Sequence, residues 1–474
     1  MADINFDETI NVCSIGKYLE NIKGLKGSST SPTDTWIINF KENIIYDGKP
    51  IKKGFLKIFV NPDSLKDIEI FKDITGTLKA LQYEMLIYKD IITPLLDNKI
   101  CPNFVRYLGN GVNCTYNDLL KILIGKLTYE GKIITTQLPY LLKRNIYSLI
   151  NKTPRLSIDD ITDLSYPTDY SLNKNLKFDI ILTEAIESKT LFEWIRDNMV
   201  SSSFNLEFWN IVFQICIACY AMSLSLMVHN DLHAGNIFIK DLGIPTNLLF
   251  YIDDKPVIIK TKYVPLIYDF DRSYVERGES GENKSLNGFL CSKFSQCNIF
   301  VPNKDIIKIF CYMYLYVRNE RNNIIALFLK PGSTEEIIET FNLQNKEGRK
   351  NCFLQYIDTF TKREKSIPVE WYSKFYSCSI IIDNIIRIHL TTYPSSTTVL
   401  PENVYHCNKR YFDPVTGALN LKEIKSEKLY VHYKMIDDDA HIISSIEKMI
   451  IEDGRRKKIK KPTKKRSPRR KSKT

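Results

Sequence analysis

Two stretches of this chain concentrate side chains able to do chemistry. Val228–Ile239 reads VHNDLHAGNIFI, with Asp231 and Asn236 held between a long apolar run and a β-branched one. Further on, PLIYDFDRSY closes another apolar run with Asp269 and Asp271. A carboxylate, a carboxamide and a second carboxylate from adjacent loops offer the hard oxygen ligands that Mg²⁺ prefers beside substrate phosphates and water. An aspartate left outside the metal shell can take a proton from a hydroxyl nucleophile. Such a site also needs a cation on the phosphates. Lys57 lies inside the strand-like GFLKIFV, and a lysine turned into a cleft needs a counter-charge. Glu84, in the helical YEMLIYKDII, is the natural partner, with Glu69 competing on the same approach. A lysine snorkelling to the surface is the plainer reading of Lys57. His229 reads as a structural histidine, because the aspartate beside it is better placed to act as a base.

The elements that must position these residues are legible in outline. Thr35–Phe40, Gly54–Val60, Asn103–Gly109 and Phe178–Glu184 are β-branched or aromatic runs bounded by turn residues, which predicts strands. Leu78, Leu81, Met85, Tyr88 and Ile92 recur at helical spacing. Residues 111–176 are polar and irregular, an expected insertion. Later segments read as helices over 190–198, 205–228, 304–318, 334–342 and 371–390. The expectation is an α+β fold: a small sheet-rich lobe, then a larger helical one.

H-N-D-L-H-A-G-N-I-F-I resembles the catalytic loop of the protein kinase superfamily, and Y-D-F-D resembles its D-F-G. The likeness extends loosely over about residues 15–390. It implies a bilobal kinase-like domain over 15–415, with an N-lobe of about 15–183 and a C-lobe of about 187–415. A helical extension over 416–453 and a disordered basic tail over 454–474 would follow. It further implies an ATP- and Mg²⁺-dependent protein serine/threonine kinase, with Asp231 as catalytic base and Asn236 and Asp269 as metal ligands. Lys57, held by Glu84, would contact the α- and β-phosphates. IILTEAIES fits the adenine-binding segment, with Thr183 as gatekeeper and the backbones of Glu184 and Ile186 bonding the base. Asp305, in NKDIIKIF, resembles the helix aspartate that braces the catalytic loop.

The departures from the pattern narrow it. No G-x-G-x-x-G precedes Lys57; the nearest candidate is GLKGSS, with Gly24 and Gly27. Asn230 replaces the arginine of H-R-D, His233 stands where most serine/threonine kinases have lysine, Asp271 replaces the last glycine of D-F-G, and no A-P-E follows. D-L-H-x-G-N with a long strand-bearing insert before the metal aspartate resembles haspin-type kinases and the kinases of large nucleocytoplasmic DNA viruses. It also resembles small-molecule kinases of the aminoglycoside and choline type. A pseudokinase scaffold is the non-enzyme alternative.

Composition bounds the partners. Hydrophobic residues make up 44% and charged residues 26%, ordinary for a globular chain. The net charge of +11 comes from the end: residues 455–474 hold 13 of the 66 Lys and Arg, leaving 53 against 55 acidic residues elsewhere. That tail is expected to be disordered and either to address the protein or to bind nucleic acid or an acidic partner. The expected substrate is a protein, of basic or nucleic-acid-associated type. The start, MADINFDETI, lacks the plan of a secretory signal, and the eleven scattered cysteines, odd in number, do not read as a disulfide framework. Both point to a reducing intracellular compartment, the host cytoplasm, nucleus or virion if the protein is viral. Asn210–Val228 is the nearest thing to a membrane span, but its polar residues favour a buried core helix. Cys216 and Cys219 within it, Cys291 and Cys297, and the pair His406 and Cys407 are read as unliganded.

Overall fold

In the computed structural model the described residues are 4–5, 12–24, 34–46, 49–65, 75–123, 127–129, 132–133, 177–276, 300–333, 369–390 and 399–425. The first part of the chain builds one large sheet from β1 (Ile4–Asn5), β2 (Leu19–Gly24), β3 (Asp34–Tyr46), β4 (Lys49–Val60), β5 (Tyr107–Thr115), β6 (Leu127–Tyr129), β7 (Lys132–Ile133) and β8 (Lys177–Glu184). The order across it is β5-β8-β4-β3-β2-β6-β7, with β1 on β3. β4 and β8 are central, so most of the second half of β4 (Gly54–Val60) and most of β8 are buried and read as nearly continuous apolar runs. Lys57 interrupts the run in β4 opposite Ile181 of β8 and Thr35 of β3. Gly54 is required by the neighbouring strands: a Cβ there would lie 2.8 Å from Leu182 and 3.1 Å from Ile38.

Helix α1 (Thr75–Ile87) runs between β4 and β5 and continues through a π turn, Tyr88–Ile92, into α2 (Thr93–Asp97). Such wide turns gather at functional sites. The sheet then enters the stretch read as an irregular insertion: β5 continues to Thr115, α3 (Tyr116–Leu123) follows, and β6 and β7 join the sheet edge. The irregular reading is corrected for residues 111–123, 127–129 and 132–133, and the rest of 111–176 lies outside the described residues.

Beyond β8 come β9 (Lys189–Thr190), α4 (Leu191–Asn198) and α5 (Phe204–Leu224). Thr190 and Glu193 form a reciprocal capping box at the start of α4. α5 is apolar all round because it is buried all round. Its few polar side chains turn to their neighbours: Asn210 Nδ2 donates to Lys260 O (3.1 Å) and Gln214 Nε2 to Tyr263 O (3.0 Å). Among the described residues this is the one helix long and apolar enough to cross a membrane, and 78% of its apolar window is buried.

The chain next forms β10 (Met227–Val228) and a long antiparallel hairpin, β11 (Ile237–Ile252) and β12 (Lys255–Ile267). Its two-residue turn, Asp253–Asp254, has φ of 44° and 72°, the mirror-image turn that suits strand twist. β13 (Tyr274–Val275) returns to β10. α6 (Lys304–Tyr316), α7 (Arg321–Phe328), α8 (Val369–Lys374) and α9 (Cys378–His389) follow, and β14 (Val404–Cys407) lies parallel to β11. The helix expected over 371–390 is broken at Phe375, which bridges to Leu329, while Tyr376 N–H donates to Phe328 O (2.9 Å). The helix expected over 334–342 lies outside the described residues.

The class is therefore α+β, with antiparallel sheets and helices. The chain divides into two compact units, Met1–Leu419 and Asn420–Thr474. Within the second, residues 421–425 are helical; the tail over 454–474 and most of the extension lie outside the described residues. One finding departs from the cysteine reading: Cys13 and Cys114 form a disulfide, Cα to Cα 5.3 Å. Cys216 and Cys219 are buried thiols, pushed well up by burial, as packing residues are.

Candidate active site

The sequence-selected residues arrive from four elements. Lys57 comes from β4, Glu84 from α1, Asp231 and Asn236 from the loop between β10 and β11, and Asp269 from the turn after β12. Lys57 Nζ donates to Glu84 Oε2 at 2.7 Å and to Asp269 Oδ1 at 2.8 Å. Lys57 and Glu84 are buried, while the Asp269 side chain is 32% exposed. Lys57 therefore does not snorkel. Glu84 takes its ammonium; Glu69 lies outside the described residues.

The loop carrying Asp231 is fixed from below. Asp305, at the start of α6, accepts from the His229 N–H at 2.7 Å and the Asn230 N–H at 3.0 Å. The His229 ring accepts from the Asp231 N–H at Nδ1 (3.3 Å) and meets the Tyr268 carbonyl through Nε2 (2.9 Å), a structural role. Asn236 Nδ2 donates to the Asp231 carbonyl (3.0 Å), which leaves its amide oxygen as a ligand. Tyr268 joins the two loops, its N–H donating to Asn236 O (3.2 Å) and its hydroxyl to Gly235 O (2.8 Å). Asn230 and Asp269 sit at φ 64° and 68°, uncommon for residues with a Cβ. Such conformations persist where the surroundings over-determine them, and they gather at active sites.

Beneath Asp269, the buried Phe270 ring packs edge-on to Tyr88 of the π turn (5.1 Å) and tilted against His229 (5.1 Å) and Phe104 (6.3 Å). Tyr88 stacks in turn on Tyr107 (5.7 Å). This ladder of rings ties α1, which carries Glu84, to both loops.

Electrostatically the cleft is short of positive charge around Lys57, whose ammonium answers three carboxylates: Asp269, Glu84 and Asp271. Burial raises Glu84 against the pull of Lys57, to about 8. Enclosure in the cleft and the neighbouring Asp269 raise Asp271 to about 6. Asp269 goes the other way: enclosure would raise it, but the Lys57 charge and hydrogen bond hold it below the ordinary carboxylate range. Asp231 is likewise held low against burial, by Arg272 and then Lys308, His233 and His229. Arg272 Nη1 lies 3.1 Å from Asp231 Oδ2. Lys308 of α6 donates to the Asn230 carbonyl.

The donor set suits a hard divalent cation. It offers the Asn236 amide oxygen, the Asp269 carboxylate and an adjacent Asp271 that has no hydrogen-bonded partner among the described residues, in a pocket of excess negative charge. No cluster of three or more His, Cys, Asp or Glu poised for a metal occurs among the described residues.

The residues expected to receive adenine are more mixed. Thr183 is buried at the end of β8, and its hydroxyl donates to Glu184 O (3.3 Å). The Glu184 N–H is spent on Arg106 O (2.9 Å), and its side chain accepts from the Arg106 N–H (2.9 Å). Of its backbone groups, Glu184 therefore keeps only the carbonyl for a ligand. Ile186 follows in the open segment before β9. Gly24 ends β2 opposite Trp36, and Gly27 lies outside the described residues. Sequence reasoning missed Arg272 and Lys308. Arg272 directly follows D-F-D, and Lys308 lies one helical turn after Asp305; both spacings were visible. No family model matches this chain, and no curated protein matches it.

Proposed function

We propose that this protein transfers the γ-phosphoryl group of ATP to a hydroxyl group, as a protein serine/threonine kinase of bilobal, kinase-like fold. The observation that carries the reading is the convergence of Lys57, Glu84 and Asp269 within 2.8 Å contacts, beside a loop that presents Asp231 and Asn236. Phosphoryl transfer asks the protein chiefly for positioning and for charge on the phosphates, and this set supplies both. Lys57, oriented by Glu84, would meet the α- and β-phosphates. Thr183 and the Glu184 carbonyl would receive the adenine. Asn236 and Asp269 would hold Mg²⁺, which neutralises phosphate charge when bound. Asp231 would orient the acceptor hydroxyl and take its proton as the oxygen bonds to phosphorus. The bond from that phosphorus to the β–γ bridging oxygen breaks, and ADP leaves with the electron pair.

Asp231→Asn tests this reading. It should lower transfer of label from γ-labelled ATP by roughly 10³-fold while nucleotide binding survives. Undiminished transfer in that variant would refute it. The same assay, run with a mixture of proteins and of hydroxylated metabolites, separates acceptors: label confined to metabolites would move the assignment to a small-molecule kinase. No transfer by the folded wild-type protein would leave a binding scaffold.

A further inference from the structure

Among cationic side chains near Asp231, most are already committed. Lys57 is shared between Glu84 and Asp269. Lys308 donates to the Asn230 carbonyl, and burial weakens its hold on a proton. His233 accepts the Gly235 N–H at Nδ1 (3.0 Å), and burial lowers its proton affinity. Arg272 differs from all three. Its guanidinium makes one ion pair among the described residues, with Asp231 at 3.1 Å, and its side chain is 39% exposed. Its backbone is pinned: the Asn230 side-chain amide donates to the Arg272 carbonyl (3.0 Å), two residues after the buried Phe270. A guanidinium carries five donors in a rigid fork matched to carboxylate and phosphate oxygens. With one donor on Asp231, the others are carried beside the place where an acceptor hydroxyl would approach.

We propose that Arg272 is a second cation of the transfer step, holding the Asp231 carboxylate with one N–H and meeting the γ-phosphoryl oxygens with the others. The inference rests on the phosphoryl-transfer reading above and adds a catalytic residue to that site. Arg272 forms no bond and moves no proton. The hydroxyl proton still goes to Asp231 and the electron pair to ADP, while Arg272 offsets charge on the oxygens in flight. Asn230 gains a purpose as well: it fixes the Arg272 backbone from the catalytic loop.

The test compares Arg272→Ala, Arg272→Lys and Asp231→Asn in ATP turnover and in nucleotide binding followed by thermal shift. Arg272→Ala should lower kcat by roughly 10²-fold with little change in the KM for ATP. Arg272→Lys should regain part of that loss, and added guanidinium should partly restore Arg272→Ala. An Arg272→Ala kcat equal to or above wild type would overturn the inference, as would a loss that neither lysine nor guanidinium repairs. If Asp231→Asn is inactive and Arg272→Ala is not impaired, this inference alone fails. If Asp231→Asn is also fully active, the phosphoryl-transfer reading fails with it.

Discussion

Two aspartates, one in the large sheet and one at the cleft, are treated in opposite ways. Asp179, on β8, is fully buried and satisfied by uncharged groups: Asn61 Nδ2 reaches both oxygens at 3.0 Å, Gln82 Nε2 donates at 2.8 Å and the Asn113 N–H at 2.9 Å. Asp269 is partly open, sits at a left-handed φ, and shares one ammonium with other carboxylates. The first arrangement is complete within the protein. Its donors come from the end of β4, from α1 and from β5, so it pins the helix that carries Glu84 to the sheet. The second leaves negative charge over, which an incoming cation would satisfy. Satisfied buried networks give rigidity, whereas unbalanced charge in a cleft marks a ligand site.

That contrast can be broken by substitution. Asp179→Ala leaves three donors without their acceptor and should cost about 2–4 kcal/mol in denaturant unfolding. A cost below about 0.5 kcal/mol would show that the network is not structural. Asp271→Asn should act in the other direction. The folded Asp271 carboxyl is raised to about 6, above its unfolded value, so its contribution is full at low pH and is lost as pH rises through about 6. Without Mg²⁺, the variant should be more stable than wild type at pH 7 by on the order of 1 kcal/mol, with the advantage vanishing near pH 4. Unfolding curves at both pH values decide it; equal stability at pH 7 would remove the charge-surplus argument. The smallest effect belongs to the hairpin tip, where Arg410 pairs with Asp254 at the surface. Arg410→Ala should change stability by less than about 0.5 kcal/mol, because exposed pairs are screened and entropically costly.

The sequence revealed the chemistry more fully than the scaffold. Asp231, Asn236, Asp269, Lys57 and Glu84 could be singled out because residue type and local spacing carry their chemistry. Arg272 stands in plain view after D-F-D, but its pairing with Asp231, forty-one positions away, is made only by folding, which brings them to 3.1 Å. Boundaries failed where tertiary contacts overrode local pattern. The strand expected over Asn103–Gly109 begins instead at Tyr107, because the preceding residues bond to the end of β12: Asn103 Nδ2 to Pro265 O (3.0 Å), and the Val105 N–H to Ile267 O (3.0 Å). The helix expected to reach Val228 stops at Leu224, where Leu226 at φ 53° turns the chain into β10. The Cys13–Cys114 bond joins positions 101 apart, and no spacing rule anticipates it.

Binding measured as a thermal shift is the most direct test of the proposed magnesium-nucleotide site at Asp269. ATP with Mg²⁺ should raise the melting temperature of the wild-type protein; the rise should vanish with a chelator and in Asp269→Ala. An equal rise without the metal, or in the folded Asp269→Ala protein, would contradict the account.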